Sequence, residues 1–184
     1  ALGLRRADVG WPDILGTAFL VTVLVVILSL YLSHFEPKLW AGERRTLLLA
    51  LLIVLTVAVA KATLPGSAGL VYLFPFAAVP MIVAMLLNHQ LALLVTVFLS
   101  LLVGPITENA MEITTLSLVG GAIGVLSLRR VERISAFLWA GVYVALANFA
   151  VILAFHLPTG DYDVTALASL AGTSLANGGI AAAI

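Results

Sequence analysis

The chain has 184 residues, of which 62% are hydrophobic and only 10% charged, with nine Lys and Arg against nine Asp and Glu. Soluble domains carry about 25% charged and about 45–50% apolar residues, so these figures exclude a water-soluble domain; the same apolarity excludes a disordered chain. There is no clustered basic face to hold nucleic acid, and with no cysteine there is no disulfide framework, thiolate metal site or cysteine nucleophile.

A mean hydropathy of +1.19 fits an all-α, polytopic membrane protein whose first partner is the lipid bilayer. A membrane-crossing helix needs about 20 mostly apolar residues. Uncharged apolar stretches at Ile14–Leu32, Thr46–Ala60, Leu70–Leu87, Leu91–Ile106, Ile113–Leu128, Ala136–Leu157 and Val164–Ile184 predict about seven spans in one bundle. None alternates apolar and polar residues as a barrel strand would.

Trp11-Pro12-Asp13 opens the first span with an interfacial aromatic, an N-terminal proline and a capping residue. The second is expected to continue through Lys61 to Leu64, its ammonium snorkelling to the interface. Leu64-Pro65-Gly66-Ser67 then reverses the chain. The third span holds Phe74-Pro75-Phe76-Ala77-Ala78-Val79-Pro80. Pro75 and Pro80 each remove a backbone donor, which predicts a kinked span serving as a pocket wall or hinge, or simply a bent helix. Asn88-His89-Gln90 makes a tight hairpin into the fourth span.

Glu108 and Glu112 stand four apart between the fourth and fifth spans. On one helical face they would hold a cation or share a proton; a solvated acidic loop is the simpler expectation. Gly120 and Gly124 give the fifth span a small-x-x-x-small face, and Ala58/Ala62 and Ala168/Gly172 repeat the spacing. Such faces permit close packing within the protein or between protomers of a homo-oligomer. Asn148 in the sixth span and Asn177 in the seventh, with Thr173 and Ser174 nearby, are costly in a bilayer and should face the bundle. Bonding between helices is the expected reason, cavity lining the other. His34, His89 and His156 lie apart with no metal-ligand spacing, so each reads as an interfacial or loop residue and the chain by itself as no enzyme.

Counted alternately, one set of loops carries Lys38, Arg44, Arg45, His89, Arg129, Arg130 and Arg133. The other carries Arg5, Arg6, Glu108, Glu112, Asp161 and Asp163. The positive-inside rule puts the first set in the cytoplasm, the N-terminus outside and the C-terminus inside, with Arg5-Arg6 pulling the other way. A start at Ala1 and a stop at Ile184 within an apolar run suggest one membrane module cut from a longer polypeptide.

Phe74 through Met81, the hairpin at Asn88–Gln90, Leu118-Val119-Gly120-Gly121, Arg129-Arg130 and Gly141 through Asn148 resemble one bacterial module. Trp11 through Gly16 and Glu43-Arg44-Arg45 fit the same pattern. It is the seven-helix membrane region of receptors with an intracellular HD hydrolase. The resemblance implies an extracellular domain before the bundle and, after it, a cytoplasmic metal-dependent hydrolase, which in characterised members opens cyclic di-AMP. It also implies a bacterial cell-membrane location, a divalent metal held only by that missing domain, and a bundle that relays an external signal. A second resemblance, in size, helix count and the proline-bearing third helix, is to vitamin-binding subunits of energy-coupling-factor transporters; it implies a complete chain that binds a small substrate and docks a partner through Ala58/Ala62.

Overall fold

The structure is a computed structural model that describes residues 11–37, 42–66, 68–107, 109–128, 135–157 and 164–183. Among the described residues every regular element is helical: α1 (Trp11–Phe35), α2 (Glu43–Thr63), α3 (Ala68–Leu73), α4 (Ala78–Leu86), α5 (His89–Val103), α6 (Ala110–Ser127), α7 (Ser135–His156) and α8 (Val164–Ala183), with a 3-10 turn at Gly104–Ile106. The chain divides into two compact units, Ala1–Thr46 and Leu47–Ile184.

The first unit contains α1, which carries no described charged side chain and exposes Phe19, Val25 and Leu30. A helix with so apolar an exposed surface is stable where lipid covers that surface. Pro12 sits in its first turn, where a missing N–H costs nothing.

Five described helices are long and apolar enough to cross a membrane: Ile14–Phe35, Glu43–Thr63, His89–Ile106, Ala110–Ser127 and Leu138–His156. Val71–Leu86 forms a shorter apolar segment, and α8 adds a helix of 20 residues.

In the second unit α7 packs between α6 and α8, α5 lies against α4 and α6, and α3 and α4 both touch α8. One apolar cluster gathers Ala60, Leu64, Val71, Phe76, Val103, Ile113, Leu116, Val151 and Ile152. A second joins Ala77, Ala78 and Met81 to Leu128, Ala140, Val144 and Ala181. Between α7 and α8 the backbones nearly touch, since a Cβ on Gly141 would lie 2.6 Å from the Gly178 carbonyl oxygen. Without a hydrophobic drive between helices in lipid, such close approach is the main source of association.

The connections follow local chemistry. Gly66 adopts φ +77° after Pro65, a conformation that L side chains resist. Asn88 caps α5, its side-chain oxygen accepting from the Gln90 N–H at 2.8 Å, which is why the hairpin needs so few residues.

Candidate functional site

The third span is interrupted rather than bent. α3 stops at Leu73, Phe74 to Ala77 form no regular helix, and α4 starts at Ala78, its first bond running from the Met81 N–H to the Ala77 carbonyl at 3.0 Å. Pro75 supplies no N–H, and the Phe76 N–H turns back to the Phe74 carbonyl at 2.8 Å instead of continuing the ladder to Tyr72. Pro80 was expected to add a second kink; it instead falls in the first turn of α4, where no intrahelical acceptor awaits its nitrogen.

An interruption inside an apolar bundle leaves backbone carbonyls that water cannot reach, and each must be satisfied by protein. Asn177 does this. From α8 its Nδ2 donates to the Tyr72 carbonyl at 2.9 Å and to the Phe74 carbonyl at 2.7 Å. Those two bonds use both amide protons and fix which way the amide points. The Asn177 Oδ1 then faces α7, where it accepts from Asn148 Nδ2 at a slack 3.4 Å. Asn148 and Asn177 are 2% and 1% exposed. Asn148 Oδ1 accepts no hydrogen bond among the described residues and lies against Gly120 on α6 so closely that a Cβ there would collide with it. Gly124, one turn on, faces Met81 and Val144. The sequence expectation that both asparagines turn inward to bond between helices agrees with this geometry.

Tyr72 extends the polar chain toward the end of the bundle. Its hydroxyl donates to Glu112 Oε1 at 2.9 Å. Glu112 stands in the first turn of α6 and is 7% exposed, so it does not belong to the solvated loop that its neighbours suggest. The same Oε1 lies 3.7 Å from Nδ1 of His156, the last residue of α7, and that nitrogen is 3.0 Å from the Ile152 carbonyl oxygen. A helix N-terminus favours a carboxylate, which eases burial of Glu112 at this position.

Of the residues singled out from sequence, Pro75, Asn148, Asn177 and Gly120 meet at the break, with Pro80 and Gly124 on adjoining turns. Arg44 and Arg45 are exposed in the first turn of α2. Glu108, Arg129, Arg130 and Arg133 lie outside the described residues, as do Lys38, Arg5, Arg6, Asp161 and Asp163. Ala168 and Gly172 are exposed on α8, as are Ala58 and Ala62 on α2. Tyr72 and His156 were not picked out in advance as part of a site. A lone tyrosine before the proline pair was the available signal for the first; the second reads as a span-end histidine until α6 is placed beside it. Among the described residues no three His, Asp or Glu side chains converge, so these helices offer no donor set for the divalent metal that an HD hydrolase would use.

Residues 11–184 match the family described as 7TM receptor with intracellular HD hydrolase. The chain is also 32% identical over 147 residues to the cyclic-di-AMP phosphodiesterase PgpH of Listeria monocytogenes serotype 1/2a (strain 10403S), a stretch covering 75% of this chain and 20% of that protein. The chain thus spans about a fifth of the length of that relative. No solved structure matches it. A match over nearly every residue, together with a bundle of lipid-length helices, shows that the chain belongs to the bacterial seven-transmembrane receptors with an intracellular HD hydrolase, as a multi-pass membrane module.

Proposed function

We propose that this chain is the membrane module of a larger phosphodiesterase of cyclic di-AMP, and that it relays an external state to a cytoplasmic HD hydrolase through α8. In this reading the bundle has seven spans, counting the divided α3–α4 segment and α8. The N-terminus is outside, joined to an extracellular domain, and α8 runs into the hydrolase, which holds the divalent metal. The loop charges support that orientation: the cytoplasmic side would carry Lys38, Arg44, Arg45, Arg129, Arg130 and Arg133.

The observation that carries the reading is the Asn177 amide bonded to two backbone carbonyls of the broken span, those of Tyr72 and Phe74. A relay needs an element with two arrangements and a contact that differs between them. The short α3 beside an irregular four-residue stretch is that element, and Asn177 is its link to the helix that leads toward the hydrolase. In the full-length protein, Asn177→Leu should change the rate of cyclic di-AMP hydrolysis by about fivefold or more, the low end of ordinary coupling between sites. An unchanged rate, in protein of unchanged assembly, would refute the relay. Membership in the receptor family leaves the vitamin-transport alternative without an observation in its favour.

A further inference from the structure

We propose that Asn148 is a second acceptor for the Asn177 amide, through which the interruption in the third span exchanges between two hydrogen-bonded arrangements. This rests on the relay read above and supplies the second state that a relay needs.

In the arrangement described, the bonds are unevenly shared. Both Nδ2 protons of Asn177 go to the broken span, at 2.9 Å to the Tyr72 carbonyl and 2.7 Å to that of Phe74. The Phe74 carbonyl accepts twice, since the Phe76 N–H also turns to it at 2.8 Å. Asn148 donates its Nδ2 to Asn177 Oδ1 at 3.4 Å, while its own Oδ1, buried with the rest of the residue, accepts nothing among the described residues. An empty buried acceptor costs free energy, which brings this arrangement closer to any other that fills it.

One such arrangement needs no new group. One Asn177 N–H leaves the Tyr72 carbonyl for Asn148 Oδ1, closing the two amides into a reciprocal pair. The Phe76 N–H moves from the Phe74 carbonyl to that of Tyr72, its helical partner four residues back. The second Asn177 N–H stays on Phe74. The four hydrogen bonds of the described arrangement are replaced one for one, and the empty oxygen is filled.

The side chains move little, because the amides already lie 3.4 Å apart and the χ2 torsion of asparagine is soft. Gly120 leaves the Asn148 amide its space, since a Cβ there would collide with Oδ1. The cost falls on the backbone: Pro75 resists a closed helix, its ring crowding the Val71 carbonyl and offering it no N–H. That penalty opposes the gain of filling Asn148 Oδ1 and keeps the two arrangements close in free energy. Asn177 is tied mainly to the broken span in the first and mainly to α7 in the second, so the exchange changes which neighbour α8 follows.

The test measures cyclic di-AMP hydrolysis by the full-length protein in lipid nanodiscs. Pro75→Ala gives Val71 an N–H and removes the ring, so it should favour the closed helix and move the rate the way Asn177→Leu does; Pro75→Leu serves if Pro75→Ala does not assemble. Adding Asn148→Leu removes the acceptor on which the closed arrangement depends. It should return the rate toward wild type by about threefold or more, the worth of one interhelical hydrogen bond in a bilayer. In an Asn177→Leu background the same substitution should change the rate by less than about twofold, as for residues that do not interact. The exchange is overturned, and the relay left standing, if Pro75→Ala leaves the rate at wild type or moves it against Asn177→Leu. The same follows if Asn148→Leu leaves the Pro75→Ala rate unchanged or drives it further from wild type, or if its effect persists without Asn177. No effect of Asn177→Leu overturns the relay and the exchange with it.

Discussion

Replacing Asn177 by leucine removes the side chain that bonds the Tyr72 and Phe74 carbonyls of the broken span, and the cost follows from the bonds lost. Side-chain hydrogen bonds in bilayers contribute about 0.6 kcal/mol each on average, because the unfolded chain in lipid also finds partners. Two such bonds give about 1 kcal/mol. The Phe74 carbonyl retains the Phe76 N–H, but the part-buried Tyr72 carbonyl loses its described partner in apolar surroundings, which adds about 1–3 kcal/mol. The sum is about 2–4 kcal/mol. Asn148→Leu is the natural comparison: it removes one slack bond of 3.4 Å and an oxygen that is already unpartnered, and it takes from the buried Asn177 Oδ1 its described donor, so its cost should lie at about 1–2 kcal/mol, below that of Asn177→Leu. Unfolding in mixed micelles by titration with sodium dodecyl sulfate, followed by tryptophan fluorescence, measures both. Equal losses, or a larger loss for Asn148→Leu, would refute the argument that the break is what makes Asn177 necessary.

Gly120→Ala forces a methyl group into Asn148 and should lose about 1–3 kcal/mol in the same titration. Gly172→Ala meets nothing within 4 Å and should be neutral or slightly stabilising, since alanine favours a helix over glycine by up to about 1 kcal/mol. Gly66→Ala, at φ +77°, should cost about 1–2 kcal/mol from backbone strain alone. Pro80→Ala should leave the unfolding midpoint within about 0.5 kcal/mol of wild type, because a first-turn proline gives up no helical bond.

Membrane character, helical class and most span positions were legible in the chain because they depend on local sums: about 20 apolar residues must be helical in lipid whatever surrounds them. Pro75 announced an interruption for the same reason, since a missing N–H is a property of the residue itself. The inward facing of Asn148 and Asn177 was equally legible from the cost of an amide in hydrocarbon. Which group each amide serves was not, because hydrogen-bond partners are set by helices that meet across the bundle. Tyr72 and Asn177 are 105 positions apart in the chain. Glu112 reads as loop by its neighbours, yet it is buried because Tyr72 on α3 and His156 on α7 both converge on it. Sequence therefore determined what must enter the membrane and where a helix must break. The tertiary structure decided which side chain repairs the break, because only the fold brings an unsatisfied carbonyl and a distant donor within hydrogen-bonding range.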